Sequence, residues 1–505
     1  MEAIRLGLPT LLFVLVYLAG INLLGARLAR GQRDARDYFL GGHAMPWPAV
    51  CASIVATETS ALTFLSLPGD AYRSGYTFLQ LVLGYVLGRT AAAFLLLPGY
   101  FRREIPTAYA LLERRFGPRA RRVTSLLFMG TRVLAAGVRL AVPAIPIAAI
   151  LRIPVWAAIV VLAAGTALYT LLGGIRAVIW IDLIQVFLYL SGAAAALVFL
   201  LARSPGGLSG AFAAHAAAGD PVRLFVLDFD LSRPYTIWAG VLGGAFLSMA
   251  SHGADQLIVQ RLLACRGLRD AQKALIGSGL LVLAQMALFL TIGVLLFAFY
   301  GGRPVGAGPD AFRSPDEIFP MFLVGALPPL LSAYLVGGIF SAAMCSESSA
   351  LNSLASALAH DVVGPLAGDD ALTGRRGLRL GRVLTLLWTA LLVLLAVGFS
   401  RLSPTQPAVQ FALGLASVTA GGLLGAFLLA RFAPRAAEAD LLWAIGVATV
   451  LTLLLWLGSR GWIPFPLGER IAWPWYSLIG SAVAFGGGTL LSLRRRRPAT
   501  ISEVV

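Results

Sequence analysis

The apolar stretch 335–363 carries more small polar groups than a lipid-facing helix needs: Ser341, Cys345, Ser346, Ser348, Ser349, Asn352, Ser353 and Ser356, with Glu347 among them. At about 100° per residue, Ala342, Ser346, Ser349, Ser353 and Ser356 share one narrow helical face, and Glu347 points well away from it. Such a stripe has two readings. Small hydroxyl residues let helices approach closely and bond their own i−4 carbonyls. Alternatively, the stripe is a wall of oxygen ligands for a hard monovalent cation. Ionisable side chains inside other apolar stretches are costly and mark sites by default. They are Glu58, Arg89, Arg132, Arg139 and Asp182, with His252 and Asp255 near a segment end. Asp182 is either an interfacial acid paired with Arg176 or a cation ligand on an exit path.

The elements that must position these groups are membrane spans. The chain has 505 residues, 58% hydrophobic and only 13% charged, with mean hydropathy +0.82. A soluble globular protein does not carry that much apolar surface. About twenty apolar residues cross a bilayer, which predicts thirteen spans at roughly 6–26, 46–68, 76–100, 122–151, 154–172, 177–202, 235–253, 273–300, 329–358, 380–399, 406–430, 440–457 and 473–493. The net charge of +16 does not point to nucleic acid, because most basic residues fall in alternate short loops. That pattern predicts an outside N-terminus, a cytoplasmic C-terminus and an inner or plasma membrane location. Cys51, Cys265 and Cys345 have neither disulfide nor metal-type spacing. No phosphate-binding loop, HExxH or GxSxG motif is present, so no enzyme and no organic cofactor is expected.

Two spans look interrupted. The second begins after Met45-Pro46-Trp47-Pro48, has Thr57-Glu58-Thr59-Ser60 at its centre and ends at Pro68-Gly69. The seventh is rich in glycine at Gly240, Gly243 and Gly244, then turns polar at Ser248, Ser251, His252, Gly253, Asp255 and Gln256. Interrupted spans at corresponding places in two halves point to inverted repeats with a binding site near the midplane. This predicts a first helix and loop at 1–45, repeat one at 46–203, an extracellular loop at 204–234 and repeat two at 235–431. Two peripheral helices and a basic tail then occupy 432–505. The segment 256–268 reads as a basic amphipathic helix at the cytoplasmic interface.

Four stretches resemble the sodium/solute symporter family, whose members include sodium-coupled glucose, iodide, proline and sialic acid transporters. They are 56–69 (ATETSALTFLSLPG), 173–185 (GGIRAVIWIDLIQ), 255–261 (DQLIVQR) and 338–361 (GIFSAAMCSESSALNSLASALAHD). The resemblance implies an all-α LeuT-type 5+5 inverted-repeat core with two broken helices. It implies a sodium site made by the carbonyls of Ala56, Thr59 and Ala342 and the side chains of Cys345 and Ser346. The thiol of Cys345 departs from the family's hydroxyl and is a poor ligand for sodium. A second sodium site maps onto Asp182, Ser346, Ser348 and Ser349, so one or two ions are expected. Solute contacts map onto Ser60, Thr63, Gln80, Tyr85, Ser248, Ser251 and His252. The sugar-binding acid of glucose-type members maps near Val82, which is apolar.

The in-span arginines point instead to an anionic solute, because a guanidinium grips a carboxylate bidentately. Arg139 is the one favoured over Arg132; the alternative for each is a structural ion pair with Glu58 or Glu347. Glu347 should pair with an arginine or stay protonated, and Glu58 could add charge to the cation site or carry a proton. The expected function is sodium-coupled symport of a small carboxylate or amino acid by alternating access, by a protein working as a monomer in the lipid bilayer without nucleic acid. The alternatives are a proton-coupled or uniport carrier on the same fold and, more remotely, a membrane sensor.

Overall fold

A computed structural model describes residues 8–29, 32, 34–102, 105–306, 308, 310–401 and 408–493. Arg30, Arg33 and the basic tail after 493 lie outside the described residues. The described chain is helical, its only β-type pairs being two isolated bridges. Among the described residues, nine helices are long and apolar enough to cross a bilayer, and one bent pair makes a tenth. The elements used below are α1 (Leu8–Leu28), α2 (Trp47–Glu58), α3 (Ala61–Ser74), α4 (Leu79–Leu95), α5 (Pro118–Leu151), α6 (Val155–Arg203), α7 (Gly244–Gly253), α8 (Gln256–Leu263), α9 (Leu268–Phe299), α10 (Pro329–Ala357), α11 (Gly374–Phe399), α12 (Ala408–Phe432), α13 (Glu438–Ser459) and α14 (Trp475–Leu493).

The second predicted span is broken where its polar centre implies. α2 ends at Glu58, Thr59 and Ser60 leave helical geometry, and α3 departs at 63° to α2. α10 packs on α6, α5 and α1, and every residue of it from Leu335 to Ala357 is buried. Its hydroxyls therefore face protein on all sides. Several bond carbonyls of their own helix, Ser353 to Ala350 (3.0 Å) for example, so the packing reading holds for part of the stripe.

α6 is 49 residues long, about twice what a bilayer needs. It is interrupted at Gly174 (φ 54°, ψ −155°), a conformation that side-chain-bearing residues rarely adopt. A Cβ there would lie 2.4 Å from the carbonyl oxygen of Tyr38. Tyr38 in turn donates its hydroxyl to the Thr170 carbonyl at 3.0 Å.

Two expectations change. The glycine-rich seventh span is not unwound: residues Ala239–Gly243 form a π turn that runs directly into α7, and the backbone leaves the helix only at Ala254 and Asp255. Its glycines serve close packing instead. A Cβ on Gly84 of α4 would sit 2.3 Å from the Gly240 carbonyl oxygen, and one on Gly88 would sit 2.1 Å from that of Ala245. Small residues on both sides bring the two backbones together, as they do in lipid generally. The second change concerns α8. It is buried throughout rather than lying on a membrane surface. Its polar face meets protein partners: the Gln256 side-chain oxygen accepts from the Ala108 amide at 2.8 Å, and Gln260 donates to the Phe39 carbonyl at 2.8 Å. An amphipathic pattern records a polar environment, which here is protein.

Gly174→Ala is expected to destabilise the fold by about 1–3 kcal/mol from backbone strain alone, with the Tyr38 clash added. A lowered melting temperature of the purified protein, or loss of its monodisperse peak, checks this; an unchanged melting curve contradicts it.

Candidate functional site

The break between α2 and α3 frees backbone groups. The Ser60 amide, which would close the helix onto Ala56, instead donates to the Glu58 carbonyl at 3.0 Å. The Ala56 and Thr59 carbonyls are thereby left without a regular helical donor. Both turn toward α10. The Cys345 Sγ lies 3.0 Å from the Ala56 oxygen, 3.3 Å from that of Ala342 and 3.9 Å from that of Thr59. Three carbonyl oxygens thus converge on one weak S–H donor, which can serve one of them at a time. Ser346, expected beside them, donates to the Ala343 carbonyl of its own helix at 3.0 Å. The break itself is held from α9, where the Gln285 side-chain amide donates to Thr59 Oγ1. Sequence reasoning missed Gln285; a lone glutamine in the apolar run of α9 was its signal.

Of the second group of predicted ligands, Asp182 and Ser349 meet at a cation that was not assigned to it. Asp182 is fully buried. Its Oδ2 accepts from Ser53 Oγ at 2.5 Å and lies 3.6 Å from Arg261 Nη2. Arg261 also donates to Ser53 Oγ at 2.9 Å and to Ser349 Oγ. Ser349 and Ser348 both donate to the Cys345 carbonyl, at 2.6 and 3.1 Å. The Asp182 partner is therefore Arg261 of α8, not the neighbouring Arg176. Asp182 Oδ1 has no hydrogen-bond partner among the described residues.

On the other side of the break, Ser60, Thr63, Tyr85 and Arg139 line one cavity with Glu58, closed by apolar residues including Phe78, Met286 and Leu413. Ser60 and Thr63 sit at the N-terminal end of α3, where helix polarity favours negative charge. The Arg139 guanidinium donates to the Thr57 carbonyl at 3.5 Å and forms no ion pair among the described residues. The expected alternative, a structural pair with Glu58 or Glu347, is not what forms. Glu58 pairs with the buried Arg89 of α4, which also donates to Ser278 Oγ at 2.9 Å. Arg132 pairs with Asp255. Glu347 is buried, with Oε1 unpartnered and no ion pair among the described residues.

Four predicted solute contacts lie elsewhere. Gln80 is spent on structure: its amide donates to the Thr77 and Tyr235 carbonyls, both at 3.1 Å, and accepts from the Val226 amide at 3.0 Å. Ser248, Ser251 and His252 of α7 do not line the cavity. Ser251 Oγ and His252 Nδ1 are hydrogen-bonded at 2.8 Å, and His252 Nε2 faces Glu58 Oε2 at 3.7 Å. These residues back the Glu58–Arg89 pair.

Comparison with known proteins agrees with this architecture. Residues 38–447 match the model of the sodium:solute symporter family. The human sodium/iodide cotransporter is 28% identical over 491 residues, covering 93% of this chain and 74% of the relative. The sodium/sialic acid symporter NanT of Aliivibrio fischeri is 29% identical over 468 residues, covering 91% and 89%. A solved substrate-bound, outward-open state of a Na+-coupled sialic acid symporter, reported with a novel Na+ site, superposes with a TM-score of 0.83 at 25% identity and covers 98% of this chain and 99% of its own. The chain belongs to the sodium:solute symporter family. It is a sodium-coupled symporter of a small organic solute, embedded in a membrane through its apolar helices.

Glu58→Gln removes the counter-charge of a buried arginine and is expected to cost about 3–5 kcal/mol. Adding Arg89→Leu, which removes the stranded charge, should recover part of that loss. Melting of the two purified variants beside the parent checks it. Equal stability of Glu58→Gln and parent contradicts the pairing.

Proposed function

We propose that the coupling sodium binds where the Ala56, Thr59 and Ala342 carbonyls converge, with Ser346 turned inward as a further ligand. The observation that carries this reading is three acceptor oxygens facing a single thiol. Such a spot is electronegative and under-satisfied, which suits a cation. Cys345 makes it a weaker site than a hydroxyl would, because sulfur is soft. A second sodium would bind at Asp182 Oδ1 with Ser348, supported by that oxygen's lack of a partner in a fully buried position. There it must share Asp182 with Arg261, so it is the weaker of the two ions.

The solute reading rests on Arg139. Within and behind the cavity, Glu58 and Arg89 cancel, which leaves one uncompensated positive charge. A monoanion satisfies it, with a carboxylate on Arg139 and the α3 N-terminus and the hydroxyls of Ser60, Thr63 and Tyr85 as polar contacts. Relatives named for iodide, sialic acid and monocarboxylates are consistent with an anion. The division of α6 at Gly174, the bent α2–α3 pair, the short α4 and the run 239–253 support thirteen spans in two five-span repeats, 46–203 and 235–431; the basic residues of alternate loops support an outside N-terminus. Sodium on the α2–α10 seam and solute on the α3 side of the same break would favour one arrangement of that break. That shared preference is all that coupling requires.

The test is uptake of labelled monocarboxylates and sialic acid into proteoliposomes under an imposed sodium gradient. The parent should accumulate an anionic solute in sodium and not in potassium. Arg139→Gln should abolish uptake while leaving sodium's effect on the melting temperature intact, since a ligand of the native state stabilises by mass action. Anion uptake that survives Arg139→Gln contradicts the solute reading. Asp182→Asn should lower the steepness of the sodium dependence from near two to near one; an unchanged steepness contradicts the second ion.

A further inference from the structure

The solute cavity and a second cleft follow one another along the seam between α5 and α12. Arg139 of α5 lines the cavity; Arg132 and Ala135 line the cleft. Arg132 and Arg139 are seven residues apart. That spacing returns to within about 20° of the same helical face and rises about 10 Å, so one guanidinium stands beyond the other. α12 runs the opposite way beside them. Its Ala412 lines the cavity, and Ala416 and Thr419, at helical spacing, line the cleft. The seam between the two arginines is thus formed by Ala135 and Ala416, which put no bulk in the way. Arg132 lies on the side nearer the basic first turns of α5, with Arg119, Arg121 and Arg122. In the topology proposed above that side is cytoplasmic.

Two contacts close the cleft. Thr131 of α5 and Thr419 of α12 share a hydrogen bond at 2.9 Å, and Arg132 Nη2 donates to Oδ2 of Asp255, just beyond α7. The ion pair is incomplete. Arg132 Nε is buried without a hydrogen-bond partner among the described residues. Asp255 gives its other oxygen, Oδ1, to the Leu257 amide at 2.8 Å as the N-cap of α8. Asp255 therefore keeps a place when it loses the arginine, because backbone amides and the helix dipole stabilise a carboxylate at a helix N-terminus. The arginine can hold an incoming carboxylate with both Nε and Nη2, a better fit than the single bond Asp255 gives it.

We infer that Arg132 is a second anion station on the solute's path: the carboxylate that leaves Arg139 takes the Arg132 fork, and Asp255 withdraws to its helix cap. This second station presupposes Arg139 as the solute's first contact. It adds a requirement of its own: import needs Arg132, and first binding does not.

The test uses labelled lactate and labelled sialic acid as probe anions, in sodium. Equilibrium binding is measured on the purified protein in nanodiscs, and initial uptake in proteoliposomes. The parent should bind one anion per chain. Asp255→Asn leaves Arg132 charged and without its counter-ion, while asparagine still caps α8; this variant should bind two. Arg132→Gln/Asp255→Asn removes both charges of the pair together. It should bind one anion but import it about tenfold more slowly, consistent with losing one charge-assisted hydrogen bond. A pair that only braces α5 against α7 gives one bound anion in Asp255→Asn and undiminished uptake by the double variant; either result overturns the inference. Arg139→Gln separates the two stations. It should lose the first anion, and adding Asp255→Asn to it should restore one. Arg139→Gln that binds and imports like the parent overturns the first station and the relay with it, and a parent that binds neither anion overturns both.

Discussion

A helix cannot be broken inside a membrane without stranding backbone carbonyls and amides, and in hydrocarbon each stranded group costs several kcal/mol. The break at Thr59 and Ser60 is tolerable only because something answers both of its ends. The carbonyl end of α2 faces Cys345 of α10 and the Arg139 guanidinium. The amide end of α3 opens on a cavity with Ser60, Thr63 and Arg139 on its wall. One end of the interruption is thereby suited to a cation and the other to an anion, within a few residues of each other. The proposed symport of a sodium ion with an anion would use that polarity.

The surrounding charges are mostly paired. Three buried or half-buried pairs, Glu58–Arg89, Arg132–Asp255 and Arg261–Asp182, neutralise most of the ionisable groups within the spans. Pairs of this kind are weak stabilisers in themselves, but losing one partner is costly. They leave Arg139 as the cavity's unpaired guanidinium. Cys345 introduces the opposite kind of compromise: a small, soft side chain packs against the converging carbonyls and can donate to only one of them at a time, which leaves acceptors for the proposed sodium.

Much of this was legible in the sequence, and what was missed has physical reasons. Polar residues at the centre of an apolar span, between Pro48 and Pro68, mark the α2–α3 break, because no continuous lipid-facing helix would carry them. Glycine was the weaker signal. Gly240, Gly243 and Gly244 can unwind a helix or let it pack closely, and only the position of Gly84 and Gly88 on the neighbouring helix decides for packing. The amphipathic pattern of α8 could not say whether its polar face met water or Asp182, Phe39 and Ala108. Partner choice among charges was likewise hidden: Glu58 stands 31 residues from Arg89 and 81 from Arg139, and tertiary packing alone selects the former. Gln80 is a candidate contact by position, yet the loop around Val226 claims its amide first.

The carbonyls freed by the α2–α3 break, closed by α10, are proposed to hold the coupling ion. Equilibrium binding of 22Na+ to the purified protein in nanodiscs, with no solute present, tests it most directly. Saturable binding that unlabelled sodium displaces and potassium does not is expected. Cys345→Ser should tighten that binding and Ser346→Ala should weaken it. Absence of saturable binding, or binding indifferent to both substitutions, would contradict it.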